Sequence, residues 1–127
     1  MGALAAHVVE LPRWITVVMT YQSFDLSDAD KTTPRTTSTA QLLSQFDENV
    51  RDARALLMGA IDETLREPWT LTRGKDDLFT MPRIVVMRNL VLNHLIHHRG
   101  QLTIYLRMHD VSIPALYGPS VDEGSFG

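Results

Sequence analysis

The chain has 127 residues, a length that suits one domain with a substantial core, since 44% of its residues are apolar and 21% are charged. Its net charge of −3, with only two lysines, argues against non-specific nucleic-acid binding, which requires clustered positive charge. The absence of cysteine excludes disulfides and thiolate ligands, so any metal must be held by nitrogen and oxygen atoms.

The sequence contains no apolar run of the ~18 residues that a membrane-spanning helix needs. Its N-terminus also lacks the basic segment that opens a secretory signal peptide. We therefore expect a cytoplasmic protein that makes no contact with a membrane.

A first helix is predicted over residues 3–22, where one face repeats at spacings of three and four residues. That face consists of His7, Leu11, Trp14, Val18 and Tyr21. Pro12 lies within the segment and removes one backbone hydrogen bond, so we expect a kink or a restarted helix there. The polar stretch 24–37 that follows predicts a long loop.

A second helix is predicted over residues 39–66. It should begin after Ser38, whose hydroxyl forms a capping box with the residue three positions on, Gln41. The predicted apolar stripe of this helix consists of Leu43, Phe46, Val50, Ala53, Leu57, Ile61 and Leu65.

A third helix is predicted over residues 82–108, with Pro82 in its first turn. One side carries Val85, Met87, Val91, His94, His98, Leu102 and Tyr105. The opposite side carries Val86, Leu92, Ile96 and Thr103. Because this helix is apolar nearly all round, other parts of the protein should cover it on more than one face.

No segment alternates convincingly with the two-residue period of a strand, so the predicted fold class is all-α. The proline- and glycine-containing tail, residues 110–127, should be irregular. We expect a single domain over residues 1–127, built as an up-and-down helical bundle with three main helices.

The best clue to function is a cluster of histidines within the third predicted helix. His94 and His98 are four residues apart, so they project from one helix face, about one turn from each other. Imidazole is the commonest protein ligand for zinc, nickel and copper, and His7 offers a third ligand from the first helix. Burying three neutral imidazoles without an ion would leave several ring nitrogens to satisfy, which favours a metal site.

The residues around this cluster leave alternatives open. His97 could replace His94 or His98 as a ligand, although its direction favours a flanking role. Gln101 and Tyr105 point near the histidine face and are candidates for orienting a ligand or a substrate. Arg99 points away, towards the acidic pair Asp122–Glu123 in the tail or into a surface salt bridge.

The chain resembles the DinB superfamily, a group of metalloenzyme-like helical proteins. The resemblance is carried by Leu4-Ala5-Ala6-His7 through Trp14, by His94 with His98-Arg99-Gly100-Gln101-Leu102, by Tyr105-Leu106-Arg107, and by Tyr117-Gly118-Pro119-Ser120 with Asp122-Glu123. It implies a four-helix bundle, often dimeric, that holds a divalent ion with three histidines. At the positions that match the family's metal ligands, this chain has His7, His94 and His98, so the resemblance implies that these three residues bind the ion. By this resemblance we expect the chain to lack the family's first helix, through a mis-assigned start, a shortened chain, or a dimer whose partner covers the bare surface. Our hypothesis is an obligate homodimer.

Two classes of function follow from these patterns. The first is an enzyme in which the ion, zinc or nickel, activates a thiol or water for transfer, isomerisation or hydrolysis of a small molecule. Thiol-dependent chemistry is implied by the resemblance alone. The second is a non-catalytic metal-binding or stress-related interaction protein with a structural or vestigial site. The sequence does not identify a catalytic residue beyond the metal ligands.

Overall fold

The computed structural model describes residues 2–31 and 38–124. The predicted domain's first residue, part of the predicted loop and the end of the predicted tail lie outside these ranges. In chain order the elements are α1 (Gly2–Glu10), α2 (Arg13–Thr20), β1 (Ser23–Asp25), a 3-10 helix (Leu26–Lys31), α3 (Thr39–Met58), α4 (Asp62–Arg66), β2 (Pro68–Arg73), β3 (Asp76–Pro82), α5 (Arg83–Val86), a π-helix (Met87–Asn93) and α6 (His94–Arg107).

The first predicted helix is two helices that meet at a break over Leu11 and Pro12. Proline has no amide hydrogen, so it cannot continue the α-helical ladder, and α1 ends one residue before the pair. The next turn has hydrogen bonds of the 3-10 type, from each amide to the carbonyl three residues earlier. The Trp14 amide donates to the Leu11 carbonyl, and the Ile15 amide donates to the Pro12 carbonyl. On either side of the break, α1 packs against α3 and α6, whereas α2 packs against α3, α5 and the π-helix.

The expectation of an all-α fold is confirmed only in part: the chain is rich in helix, but it also forms a three-stranded mixed sheet. Its strand order is β1-β2-β3, with β1 parallel to β2 and β2 antiparallel to β3. β1 and the 3-10 helix occupy the start of the predicted loop 24–37. In β2 the side chains of Trp69 and Leu71 are buried and alternate with more exposed neighbours, as expected for a strand with one face on the core.

The hairpin that joins β2 to β3 turns on two residues. Gly74 has a φ of +60° at the first of these positions, where two-residue hairpin turns require a positive φ. The carboxylate of Asp25, at the end of β1, accepts the Gly74 amide hydrogen at 3.0 Å. This bond fastens the parallel strand to the hairpin turn.

The second predicted helix, residues 39–66, ends early and is followed by the separate short helix α4. Its start agrees with the capping prediction, since the Ser38 hydroxyl accepts a hydrogen bond from the Gln41 amide. The predicted stripe does not form a continuous buried face. Ala53 is buried, whereas Leu43 and Ile61 are at least 60% exposed.

Asn49 is the buried residue of α3 that the stripe did not include. Its side-chain amide donates to the Val9 carbonyl at 2.8 Å, and its oxygen accepts from Gln45. The Val9 carbonyl lies in the last turn of α1, where a helix leaves carbonyls without intrahelical partners. This side chain therefore tethers the end of α1 to α3.

The third predicted helix is a continuous helical run from Arg83 to Arg107 with a π-helix in its middle. Val86 and Val91 are both 1% exposed although they are five residues apart. In an α-helix that spacing separates two side chains by about 140°, whereas hydrogen bonds from i to i+5 bring them to one side. The prediction that Val86 faces away from Val91 is therefore wrong.

The main core lies between α2, the sheet and the first half of this helical run. Its most completely buried side chains include Val18, Trp69, Val86 and Val91. Arg83 is also buried, and its guanidinium donates to the carbonyls of Val18 and Tyr21 and to the Glu67 carboxylate. A buried cation of this kind ties the end of α2 to the start of α5.

The described part of the tail, residues 110–124, is irregular and is fastened to α6 by side chains. Arg107 donates to the Asp122 carboxylate at 2.9 Å. Arg99 instead donates to the Tyr117 hydroxyl and lies over its ring at 5.2 Å. The expectation that Arg99 binds the acidic tail pair is therefore corrected: Arg107 pairs with Asp122, and Arg99 binds the aromatic ring.

Candidate metal site

Three histidines from two helices converge where α1 packs against α6. The Nε2 atom of His94 lies 3.3 Å from Nε2 of His7 and 2.8 Å from Nε2 of His98. One ring nitrogen from each histidine lies within 4.8 Å of the other two. The structure thus brings together the three residues that the sequence nominated as ligands.

The hydrogen bonds on the far side of two rings fix which nitrogen faces the cluster. Nδ1 of His94 lies 3.3 Å from the Leu90 carbonyl oxygen, and Nδ1 of His98 lies 2.7 Å from Oε1 of Gln101. Both oxygens are acceptors, so both Nδ1 atoms carry hydrogen. In the neutral rings, the two Nε2 atoms therefore present lone pairs to each other.

Two lone pairs at 2.8 Å repel unless a cation lies between the nitrogens or beside them. Nitrogens bound at about 2.05 Å to one zinc ion lie about 3.3 Å apart in a tetrahedral site and about 2.9 Å apart at a right-angled one. The Nε2 separations of 3.3 and 2.8 Å are close to these two values. The donor set, the tautomers and the spacing therefore fit a divalent metal ion.

The surroundings of His7 favour its neutral, metal-binding form. Partial burial lowers the pKa of His7 below its usual value of 6.5, and the neighbouring His98 and His94 lower it further. The nearby Glu10 opposes this shift, but its carboxylate is also engaged by Arg13 at 3.1 Å. A histidine that resists protonation keeps its lone pair available to a metal at lower pH.

The remaining residues that the sequence associated with the site occupy different positions. The His97 ring is exposed and lies edge-on to His98, with 4.9 Å between ring centroids. Among residues 2–31 and 38–124, the group of side chains close enough to hold a metal ion is His7, His94 and His98, and it does not include His97. Gln101 contacts His98 directly, and Tyr105 lies one turn further along α6. Both line a cavity of about 520 Å³ between α1 and α6.

A second cavity, of about 220 Å³, borders the histidines directly. His7 and His94 line it together with the apolar side chains Leu11, Trp14, Leu26, Leu71 and Leu90. Sequence reasoning placed Leu11 and Trp14 on the helix face of His7 but overlooked Leu26 and Leu71. The alternation of Trp69 and Leu71 with Thr70, followed by Gly74, was the signal that could have revealed the strand carrying Leu71.

A helix-rich chain with a small sheet and three converging histidines defines a candidate metalloprotein. A comparison with protein-family models matches the DinB family over residues 1–125. The chain belongs to the DinB family. No curated protein and no solved structure matches it significantly. Within the part of the chain that the structure describes, every helix is too short or too polar to cross a membrane.

Proposed function

We propose that this chain is a metal-dependent enzyme whose His7, His94 and His98 hold one divalent ion, zinc or nickel. One observation carries the proposal: the hydrogen-bonded Nδ1 atoms of His94 and His98 direct two lone pairs towards one point. A histidine whose far nitrogen is fixed by an oxygen acceptor is the usual form of a metal-ligating histidine.

A catalytic role is supported by the ligand count and by the space around the site. Three protein ligands leave at least one coordination position for water or substrate, as in catalytic rather than closed structural zinc sites. The cavity of about 220 Å³ is lined by His7 and His94, and the cavity of about 520 Å³ is lined by Gln101, which contacts His98. When bound, such an ion supplies Lewis acidity and lowers the pKa of water or of a thiol.

The protein's own residues orient the ligands in this proposal. Gln101 and the Leu90 carbonyl hold the rings of His98 and His94 in the metal-binding tautomer. The smaller cavity places apolar side chains beside His7 and His94. The reaction class that fits is transfer, isomerisation or hydrolysis of a small molecule. A thiol cosubstrate is supported by the family resemblance alone.

The alternative is an ion that only fastens α1 to α6. That function predicts a fourth protein ligand and a closed coordination sphere. A crystal structure of the metal-loaded protein distinguishes the two, because an enzyme site must keep a position for water or substrate. A saturated, enclosed ion would overturn the catalytic proposal.

Metal content tests the ligand set directly. Elemental mass spectrometry on untagged protein should find about one divalent ion per chain. His7→Ala, His94→Ala and His98→Ala should each lose most of it, whereas the exposed His109→Ala should retain it as the matched control. Stoichiometric metal in all three ligand variants would show that the ligands are different residues.

We also infer a bundle arrangement of the helices and a homodimer, as the family resemblance implies. Exposed apolar side chains support the dimer. Ile84, Leu92 and Ile96, on the long helical run, are 39–49% exposed. Apolar surface of this kind marks association sites when it is contiguous. Light scattering at micromolar concentration should give twice the mass of one chain, and the mass of a single chain would contradict the dimer.

A further inference from the structure

The smaller cavity beside the histidines is built almost entirely of hydrocarbon. Leu11 and Leu71 are 1% and 5% exposed, so they belong to the protein interior. Trp14, Leu26 and Leu90 supply the other apolar walls. These five side chains come from separate parts of the fold: the break before α2, α2 itself, the 3-10 helix, β2 and the π-helix.

We propose that this cavity receives the uncharged apolar part of a small molecule whose polar head binds at the trihistidine site. The inference rests on the proposed metal-dependent function and specifies its substrate class. His7 and His94 belong both to the metal-competent cluster and to the cavity lining. A ligand held at the cluster therefore has an apolar cavity immediately beside it.

The size of the cavity suits a ring or a branched chain of about six carbon atoms. An enclosed apolar cavity of about 150 Å³ takes up benzene, and this open one, at about 220 Å³, has room for a group of that size. Apart from the imidazoles of His7 and His94, its lining side chains are four leucines and a tryptophan. The indole of Trp14 is held in place by an edge-to-face contact with Phe24, 4.9 Å between centroids.

The same lining disfavours a charged group. The side chains that line the cavity include no lysine, arginine, aspartate or glutamate. A carboxylate or ammonium placed there would lose its hydration without gaining an ion-pair partner. The substrate should therefore carry its polar atoms at the metal-binding end and none at the tail. By contrast, the larger cavity includes the polar side chains of Gln101 and Tyr105.

Three hydroxamates that share a metal-binding head test the inference. Acetohydroxamate, benzohydroxamate and 4-carboxybenzohydroxamate are titrated into the cobalt-loaded protein. The visible absorption of cobalt reports binding of the hydroxamate head. Tryptophan fluorescence, compared with that of Trp14→Phe to subtract the signal of Trp69, reports binding beside Trp14. Burial of about 60 Å² of ring surface corresponds to roughly tenfold tighter binding. Benzohydroxamate should therefore bind about tenfold more tightly than acetohydroxamate, and the carboxylated ring should lose that advantage.

Variants that fill the cavity provide the second part of the test. Leu90→Phe and Leu26→Phe each enlarge a side chain that lines the cavity and should abolish the preference for the phenyl compound. Leu43→Phe makes the same change at an exposed side chain of α3 outside the lining, and it should preserve the preference. Each protein is first assayed for bound cobalt, so that a lost ligand site is not mistaken for a filled cavity.

The outcomes separate this inference from the proposed function. Failure of the wild-type chain to bind cobalt overturns both. One cobalt per chain with equal affinity for the three hydroxamates overturns the inference and leaves the metal site standing. A phenyl preference that persists in both filling variants also overturns it, because the ring would then bind elsewhere.

Discussion

Replacing Gln101 by leucine should weaken divalent-metal binding by about tenfold without unfolding the protein. Gln101 accepts the Nδ1 hydrogen of His98 at 2.7 Å and so holds that ring with Nε2 facing the cluster. Leucine has a similar size and no acceptor. The variant leaves all three proposed ligands in place, so it tests whether the orientation of one ring matters.

The magnitude follows from the position of the bond. Loss of a hydrogen bond behind a metal ligand costs 10- to 100-fold in affinity, or about 1.4 to 2.7 kcal/mol. Gln101 is exposed, so water can partly replace its oxygen, and we expect the lower end of that range. Gln101→Glu should bind zinc at least as tightly as the wild type, because a carboxylate accepts the same hydrogen and increases the basicity of the ring.

The assay is a competition titration of zinc against a chromophoric chelator at pH 7.5, with circular dichroism to verify folding. His109→Ala is the control and should match the wild type. The order of affinity should be glutamate, glutamine, then leucine at position 101. Wild-type affinity within twofold in a folded Gln101→Leu protein would refute the argument that this bond sets the tautomer of His98.

Three further predictions concern stability. Arg83→Met should lower the free energy of unfolding in urea by about 2–4 kcal/mol, because two carbonyls lose a buried donor, and a loss below about 1 kcal/mol would contradict that role. Gly74→Val should cost about 1–2 kcal/mol in thermal unfolding because its φ is positive, whereas Gly124→Val should change little. In metal-free protein, the pKa of His7 is lower in the folded chain than its usual value of 6.5. The stability that this shift contributes is fully present above pH 6.5 and is lost as the pH falls through the pKa of the folded protein. Urea unfolding at pH 7.5 and 5 should therefore show a larger loss for the wild type than for His7→Gln, and equal losses would contradict the shift.

The histidine site could be nominated from sequence because it depends on short-range geometry. His94 and His98 share a face through a spacing of four, and this is preserved since both lie in regular α-helix beyond the π-helix. His7 lies before the break at Pro12, so a local pattern could place it on a helix but not aim it at the other two. Family resemblance supplied that long-range pairing, and the structure brings the three rings together.

The fold was harder to predict where tertiary contacts override local patterns. β1 is three residues long and pairs with β2, more than forty positions away, a contact that no window of sequence displays. The π-helix also defeats an assumption of 100° per residue, so Val86 was assigned to the wrong side. In α3 the tether Asn49 is polar, and a search for apolar periodicity passes over a buried amide of this kind.

The break at Pro12 has a consequence for how an ion would enter and leave. Within α1, Val9 is the buried side chain, and Asn49 bonds to its carbonyl. A short helix with one fully buried side chain opens locally at low cost, whereas Met87 and Val91 anchor the π-helix that precedes His94 in the core. We expect α1 to act as a hinged arm that carries His7 away from a fixed pair, so that ion release follows arm opening. The amides of α1 should then exchange hydrogen faster than those of the π-helix, and added zinc should slow them selectively.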